Sequence, residues 1–412
     1  MQRINVGTLS TVLTVVLGLT VSAGAQAPGG GTIAFEGARL ITGNQAAPIE
    51  NGTIVIQGDR IVGVGKGADV QVPAGATRVN VAGKTIMPTV LDTHTHLSTT
   101  RDALIKDLKR RAYYGVSAAL SLGTDGFGLL GMREEKIPGA ARYFSAGLGI
   151  TRFEPGPPKF QINSEAEGRK AVQENAAHRA DIIKVWVDDR DGKVDKVTPL
   201  QYAAIIDEAH NRGLRVTAHI FNMDDAKGLM RAGLDAFAHG VRDRDIDDET
   251  VRLFRQRPYL FLTPNLPDRG VKVDNSWLKA SLSADEYAQL EKANTDRPKV
   301  QEFFGIQARN LNRLSRAGVR ITMGTDGNRP WAPHEEMADM VSTGMTPMQV
   351  IVAATRNSAA FLRVTDAGTL DPGMSADFMV LDANPLDDIT NTRKISAVYL
   401  HGVPVDRSVP IN

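Results

Sequence analysis

Short apolar runs alternate with amphipathic stretches through the middle of the chain, and Gly213 and Gly233 follow the amphipathic stretches at residues 199–212 and 224–232. Short apolar runs are typical of buried strands, and amphipathic stretches that stop at a glycine are typical of helices. The strand candidates lie at residues 85–91, 115–122, 141–146, 182–187, 214–219, 236–239, 259–263 and 319–325. Their alternation with helices predicts an α/β fold, and eight such units predict a (β/α)8 TIM barrel. An open doubly wound sheet is the alternative, but no Gly-x-Gly-x-x-Gly motif opens a helix after the first strand.

Both ends of the chain are rich in short strands without helices between them. The strand candidates there lie at residues 53–57, 60–64, 376–381 and 396–400. We therefore expect a small β-sandwich domain built from both termini, residues 26–86 and 365–412, with the barrel, residues 87–364, inserted between them. The stretch at residues 267–315 is longer than an ordinary connection and predicts extra helices that cover the barrel mouth.

The first 25 residues have the pattern of a secretory signal peptide. Arg3 is followed by a mostly apolar run at residues 9–21 and by small residues at 23–25. A retained membrane anchor is the alternative, but the apolar run is shorter than the roughly 20 residues that span a bilayer. We therefore expect a signal peptide at residues 1–25, export to the periplasm or the medium, and no membrane attachment after cleavage.

Composition narrows the choice of partners. Lysine plus arginine number 48 and aspartate plus glutamate number 47, so a net charge of +1 provides no overall field for nucleic acid or an anionic membrane. The chain has no cysteine, which removes thiolates from the possible ligands and nucleophiles. A small molecule is therefore the expected substrate. The sequence leaves the number of subunits open, a homo-oligomer included.

The segment Asp92-Thr93-His94-Thr95-His96 follows the first apolar run of the middle region. Side chains on a strand return to the same face at every second residue, so the two imidazoles and Asp92 point the same way. Two neutral histidines on one face form half of a divalent metal site, because imidazole nitrogen suits zinc and similar ions. A pair of surface histidines is the alternative for this motif taken alone.

Four further strand candidates carry a side chain that suits a metal site. Lys184 lies in an apolar run, His219 and His239 end two others, and Asp326 follows the last one. Burial disfavours an ammonium, so the pKa of Lys184 should fall, and a neutral amine can add carbon dioxide to form an anionic carbamate. Each residue alone has an ordinary explanation, such as a core histidine or a helix cap. Their coincidence with strands that share the carboxyl end of a barrel predicts one site.

This ordered series of residues resembles the amidohydrolase superfamily of metal-dependent hydrolases. More narrowly, it resembles the imidazolonepropionase-like branch, which includes Xaa-Pro dipeptidases, carboxypeptidases and ochratoxin-type amidases. Residues 367–377 and 384–386 also fit that branch, and the resemblance covers residues 33–407. It implies two divalent metal ions, expected to be zinc, that activate a shared water molecule as hydroxide for attack on an amide bond.

The resemblance also implies a role for each site residue. His94 and His96 would hold the first metal, and His219 and His239 the second. A carboxylated Lys184 would bridge the two metals, and Asp326 would bind the first metal and handle protons.

Several alternatives stay open at this point. A one-metal deaminase or ring-opening hydrolase of the same superfamily tends to have a glutamate three residues beyond the His219 position, where this chain has Asn222. A lactonase, an esterase or a phosphotriesterase would use the same metals, and only the pocket decides among them. A non-catalytic exported protein with a structural metal is a further alternative, although structural zinc sites usually use four closed ligands.

Three residues on the loops after strands six and eight are weaker candidates for binding the substrate. Arg242 and Arg329 follow His239 and Asp326, and a guanidinium there could hold a substrate carboxylate with two parallel hydrogen bonds. His334 follows Asp326 closely and could help shape the site, or could simply begin a helix.

Overall fold

A computed structural model of the chain describes residues 31–152 and 156–408. The predicted signal peptide at residues 1–25 lies outside these residues. Within the described ranges, no helix is both long enough and apolar enough to cross a membrane.

The secondary structure alternates between strands and helices in the middle of the chain and is mostly strand at both ends. The strands are β1 (Thr32–Leu40), β2 (Ile49–Gln57), β3 (Arg60–Lys66), β4 (Thr77–Asn80), β5 (Thr85–Pro88), β6 (Val90–Thr95), β7 (Val116–Ser121), β8 (Arg142–Ser145), β9 (Ile150–Thr151), β10 (Phe160–Gln161), β11 (Ile183–Val187), β12 (Val216–Ile220), β13 (Ala236–Phe237), β14 (Phe261–Leu262), β15 (Arg320–Ile321), β16 (Phe378–Leu381), β17 (Ile395–Leu400) and β18 (Val403–Pro404).

The helices fall mainly between strands of the middle region. They are α1 (Arg101–Tyr113), α2 (Glu165–Ala177), α3 (Pro199–Asn211), α4 (Met223–Ala232), α5 (Asp248–Arg255), α6 (Ala284–Ala293), α7 (Pro298–Arg316), α8 (Ala332–Ser342), α9 (Pro347–Val352) and α10 (Ser358–Leu362). A π-helical turn, Ala353–Asn357, joins α9 to α10, and short 3-10 helices include Ser276–Leu278 and Ile389–Arg393.

The strands of the middle region form parallel sheets, so the predicted α/β fold is confirmed at this level. One sheet has the order β6-β7-β8, and the other has the order β10-β9-β11-β12-β13-β14-β15. Two backbone hydrogen bonds connect the two sheets: Gly149 N donates to Gly123 O at 2.8 Å, and Thr93 N donates to Met323 O at 3.0 Å. The carboxyl ends of these strands therefore gather on one side of the molecule.

A separate mixed sheet contains strands from both ends of the chain. Its order is β18-β17-β16-β5-β1-β2-β3, and β4 pairs with β1. Aromatic rings from the two terminal segments pack together, with ring centroids 5.1 Å apart for Phe35 and Phe378 and 4.8 Å apart for Phe378 and Tyr399. The hydrophobic core of this sheet is thus shared between sequence segments that lie about 340 residues apart, and apolar burial holds the two termini together.

The first apolar run differs from its prediction as one strand. It divides at Thr89 into β5, which pairs with β16 in the mixed sheet, and β6, which pairs with β7 in a parallel sheet. At the crossing, Thr89 N donates to Asp377 O and Val90 N donates to Gly115 O. The run is continuously apolar because both of its halves are buried, so hydropathy alone gives no sign of the division.

The predicted helices between residues 267 and 315 are present as α6 and α7. Ser283 caps α6 with a reciprocal Glu286 contact, and Pro298 begins α7. The 3-10 helix before α6 packs its Trp277 against Tyr114, which also lies against Trp331. This aromatic group attaches the long connection to the rest of the parallel-sheet region.

Candidate metal centre

Strand β6 brings the two histidines of the Asp-Thr-His-Thr-His segment to one face. His94 lies within the strand and is buried, and the His96 ring lies just beyond it with its centroid 5.3 Å from that of His94. The backbone carbonyl of His94 accepts hydrogen bonds from both Thr325 N and Asp326 N, at 2.9 and 2.8 Å. This pair of bonds fixes the loop after β15 against β6 and delivers Asp326 to the histidines.

The Asp326 carboxylate lies at the centre of the histidine cluster. Its Oδ1 is 3.1 Å from the Nε2 atoms of both His94 and His96, and its Oδ2 is 3.6 Å from His239 Nε2. Possible ligand atoms of His94, His239 and Asp326 all lie within 4.8 Å of one another. Asp326 has a φ of 52°, an uncommon conformation for a residue other than glycine, and such backbone is characteristic of functional sites.

Lys184 reaches the same cluster from β11. Its Nζ atom is 3.5 Å from His94 Nε2 and 4.9 Å from the Trp186 ring centroid. The side chain is buried, and burial lowers the pKa of Lys184 to about 7, so a substantial fraction of the amine is neutral near neutral pH. A Cβ atom at Gly123 would lie 2.8 Å from Lys184 Cγ, so this glycine leaves the space that the lysine occupies.

Lys184 lies inside its strand, as its place within an apolar run indicated, and not at the strand end. It is the second residue of β11 and pairs in register with Thr217, two residues before His219 on β12. The long lysine side chain covers this distance, whereas a histidine or an aspartate at the same position would be too short. Inspecting only the last residue of each strand would therefore miss this kind of ligand.

His219 joins the cluster through its contact with His239, with the ring centroids 4.6 Å apart. Its Nε2–H donates to Asp188 Oδ2 at 2.9 Å, which leaves the Nδ1 lone pair available as a metal ligand. Burial lowers the pKa of His219 to about 4, so the ring is neutral as a ligand must be. Sequence reasoning did not single out Asp188, although its place directly after an apolar strand was a usable signal.

Asn265 orients His94 in a similar way. His94 Nδ1–H donates to Asn265 Oδ1 at 2.8 Å, so the His94 Nε2 lone pair points toward Asp326 and Lys184. Asn265 has a φ of 44°, and the amide of the next residue, Leu266, donates to both carboxyl oxygens of buried Glu336 at 3.1 Å. This residue was also missed, since an Asn three residues after β14 carries no motif.

Asp92 holds the loop after β15. Its carboxyl accepts from Thr325 N at 3.2 Å, from Thr325 Oγ1 at 2.8 Å and from His94 N at 3.2 Å. Burial raises the pKa of Asp92 to about 6, against the effect of nearby Arg111. The Asp92 side chain therefore fastens together the two strand ends that carry His94 and Asp326.

The three weaker candidates have different surroundings. The half-buried Arg242 guanidinium contacts His239 Nδ1, and exposed Arg329 lies 3.4 Å from Glu335 at a cavity beside the cluster. His334 is turned away from the cluster: its Nε2–H donates to Tyr114 O at 2.9 Å, and its Nδ1 lies 3.0 Å from Thr392 Oγ1. Because both ring nitrogens are occupied there, His334 connects α8 to neighbouring backbone and does not shape the site directly.

A cavity of about 190 Å³ opens beside the cluster. Thr325, which precedes Asp326, and Leu266, which follows Asn265, line it, together with residues of α8 and of the segment at residues 268–297. Of the helices predicted over the barrel mouth, α6 thus contributes part of a cavity next to the candidate ligands. The cluster and this cavity together have the organisation of an enzyme site, with reactive groups at one wall of a concave space.

The donor set fits divalent metal ions. Lone pairs of His94 Nε2 and His219 Nδ1 are left available, since the other nitrogen of each ring donates to Asn265 or Asp188. Nitrogen and carboxylate donors of this kind suit zinc and related ions. The neutral fraction of Lys184 also suits carbamate formation, which would add an anionic oxygen ligand.

This α/β fold, with a cluster of candidate metal ligands at the carboxyl ends of parallel strands, has the organisation of a metal-dependent enzyme. The chain belongs to the Amidohydrolase family, whose sequence model matches residues 85–405. Members of this family are hydrolases that act on C–N bonds, so the predicted superfamily and the predicted enzyme class are confirmed.

Relatives and solved structures agree with this assignment over most of the chain. Imidazolonepropionase of Streptomyces griseus is 26% identical over 388 residues, which cover 90% of this chain and 93% of that protein. The structure of a candidate prolidase from Bifidobacterium longum is similar with a TM-score of 0.77 and 27% identity, covering 93% of this chain and 96% of that one. Ochratoxinase of Aspergillus niger shares the fold, with a TM-score of 0.72 and 20% identity over 92% and 96% of the two chains.

Proposed function

We propose that this amidohydrolase uses two divalent metal ions to cleave an amide bond of a small molecule. His94 and His96 would hold the first metal, His219 and His239 the second, and a carboxylated Lys184 would bridge them. Zinc is the proposed metal. The observation that carries the proposal is the position of the Asp326 carboxylate, which contacts the imidazoles of His94, His96 and His239 within 3.6 Å.

The surrounding residues support a proton-transfer role for Asp326. Burial opposes ionisation of this carboxyl, but the contacts with His94 and His96 outweigh it and hold the pKa of Asp326 well below its usual range. When bound, the two metals would activate a water molecule and polarise the scissile carbonyl. The ionised Asp326 would accept a proton from that water and donate it to the leaving nitrogen.

We propose that the substrate carries a carboxylate near the scissile amide. Relatives of this chain include a candidate prolidase and a protein named ochratoxinase, and the cavity beside the cluster contains arginines, among them Arg329. A guanidinium pairs with a carboxylate through parallel hydrogen bonds. Arg242 is less suited to this role, because its guanidinium contacts His239.

Three further proposals concern organisation and location. We propose that the parallel sheets close into a (β/α)8 barrel, which the isolated bridge between Thr95 and Gly327 supports. We propose that the mixed sheet belongs to a small β-sandwich domain. This domain would comprise residues 26–86 and 365–412, and the barrel domain residues 87–364.

We also propose that the protein is exported and that a signal peptide at residues 1–25 is cleaved. A proteomic measurement of the mature N-terminus tests this proposal.

The central experiment is a hydrolysis screen of the purified chain with metal content measured in parallel. N-acyl amino acids, dipeptides, lactones and phosphotriesters are compared before and after chelation and after zinc is restored. We expect amide hydrolysis that depends on metal, with about two metal ions per chain for the two-metal arrangement. Preferred hydrolysis of lactones or phosphotriesters would replace the amide assignment, and tight metal binding without any hydrolysis would indicate a metal-binding protein.

A further inference from the structure

The cavity beside the metal centre is lined by charged groups of both signs in equal number. Four carboxyl and four guanidinium side chains face it. Three of each form ion pairs across the cavity wall. These pairs are Arg297 with Asp268 at 2.6 Å, Arg269 with Asp339 at 2.6 Å and Arg329 with Glu335 at 3.4 Å. The remaining two groups are Glu336 and Arg393.

Glu336 does not neutralise Arg393. Both of its carboxyl oxygens accept from the backbone amide of Leu266 at 3.1 Å, so the side chain holds the loop that carries Asn265. Burial also raises the pKa of Glu336 well above its usual range, which disfavours the negative charge that would balance a guanidinium.

Arg393 has no hydrogen-bond partner and no close ion pair for its guanidinium among the residues that the structure describes. Its Nε atom is buried without a hydrogen bond, and no described carboxylate lies within ion-pair distance of its guanidinium. The group is instead stacked over Trp277, 4.9 Å from the ring centroid. Trp277 packs against Tyr114 and His334, with ring centroids 6.3 and 5.8 Å apart, so the surface beneath the guanidinium is part of the packed structure.

The segment that carries Arg393 is anchored next to the cavity. Arg393 ends the 3-10 helix Ile389–Arg393, between β16 and β17. The preceding residue, Thr392, contacts His334 on α8, the helix that also contributes Glu335, Glu336 and Asp339 to the cavity. The guanidinium is therefore held at a cavity wall with hydrogen-bond donors that the protein itself does not use.

We propose that Arg393 binds the anionic group of the substrate through a paired guanidinium–carboxylate contact. The inference rests on the proposed amide hydrolysis and adds the residue that would recognise the carboxylate. Arg242 and Arg329 are less suited, because the first contacts His239 and the second is paired with Glu335. Arg393 also leaves the ligand one planar pair of donors, which matches the two oxygens of a carboxylate.

The test compares two ligands that differ at one group, N-acetyl-L-proline with a carboxylate and N-acetyl-L-prolinamide with a neutral carboxamide. Binding to the purified full-length chain is measured by calorimetry, and chromatography verifies that both ligands stay intact. The variants are Arg393→Met, Arg393→Lys and, as a matched control, Arg297→Met, which removes a cavity arginine that already has a partner. Thermal melting verifies that each variant is folded.

We expect the parent to bind the acid more tightly than the amide. Arg393→Met should reduce the acid-to-amide affinity ratio by about 10- to 100-fold, the scale of hydrogen bonds to a charged group. Arg393→Lys should give an intermediate ratio, since it keeps the charge but loses the planar pair of donors. Arg297→Met leaves Asp268 unpaired, so it should lower the acid-to-amide ratio by less than Arg393→Met does, because it removes no donor from the carboxylate of the ligand.

Two results would overturn the proposal for Arg393. The first is a parent that binds the acid and the amide equally, and the second is a folded Arg393→Met or Arg393→Lys that keeps the parent's ratio. Failure of the proposed amide hydrolysis would show separately, as no activity in the hydrolysis screen, while the binding measurement stays interpretable.

Discussion

Removal of the Asn265 side chain tests whether the oriented imidazole of His94 depends on its neighbour. In Asn265→Ala, His94 Nδ1–H loses the acceptor that lies 2.8 Å away and stays buried. The ring then gains nothing from carrying its proton on Nδ1. The tautomer with the proton on Nε2, which cannot bind a metal through that atom, becomes more populated.

The size of the effect follows from the burial of His94. A buried N–H left without an acceptor costs about 1–3 kcal/mol, and each 1.4 kcal/mol corresponds to about tenfold in an equilibrium constant. We therefore expect zinc affinity to fall by roughly 5- to 150-fold. The φ of 44° at position 265 adds a cost for alanine that is unrelated to the hydrogen bond, so a control for backbone conformation is needed.

The assay is competition for zinc between the protein and a chelator of known affinity, measured on folded protein by absorbance. Asn265→Gly tolerates the positive φ but lacks the acceptor, so its affinity should fall as in the alanine variant. Asn265→Asp keeps an acceptor oxygen, so its affinity should stay near that of the parent or rise. Parent-like affinity in both the glycine and the alanine variants would refute the orienting role of Asn265.

Three other predictions concern charge and proton transfer. Lys184→Ala should lose most activity and regain part of it when short carboxylic acids replace the carbamate oxygens, and full activity without them would contradict the bridged arrangement. Asp326→Asn should keep at least one metal but lower the turnover number by about 100-fold or more, and near-parental turnover would place proton transfer elsewhere. Burial raises the pKa of Asp339 to about 7, so this group gains negative charge from about pH 6 to about pH 8. Because that charge repels a carboxylate, calorimetry should show weaker N-acetyl-L-proline binding as pH rises and no such change for the amide. The pH dependence should be lost in Asp339→Asn.

The sequence predicted the parallel-sheet fold well because its strands are buried on both faces. Such strands are continuous apolar runs, as at β11 and β12, and a helix separates each from the next. The histidines and Lys184 were recognisable because a polar side chain is conspicuous inside or at the end of an apolar run. The division at Thr89 was not recognisable, since each half of that run is buried in a different sheet.

Residues that orient the candidate ligands were harder to predict for a physical reason. Asp188 and Asn265 act on histidines that lie 31 and 171 positions away in the sequence. Polar residues after a strand are common in loops, and only the folded arrangement shows which of them meets a ring nitrogen. The φ of Asp326 and the fastening of its loop by Asp92 are likewise consequences of tertiary contacts.

Residues from the C-terminal segment of the mixed sheet and from the parallel-sheet region line the same cavity. Arg393 belongs to the segment between β16 and β17, yet its guanidinium lines the same space as Thr325, the neighbour of Asp326. The contact of Thr392 with His334 fixes that segment to α8, and the Arg393 guanidinium lies over the Trp277 ring, 4.9 Å from its centroid. Because the proposed carboxylate contact comes from the C-terminal segment, a chain cut at residue 364 would keep the candidate metal ligands but lose the group that we propose recognises the substrate.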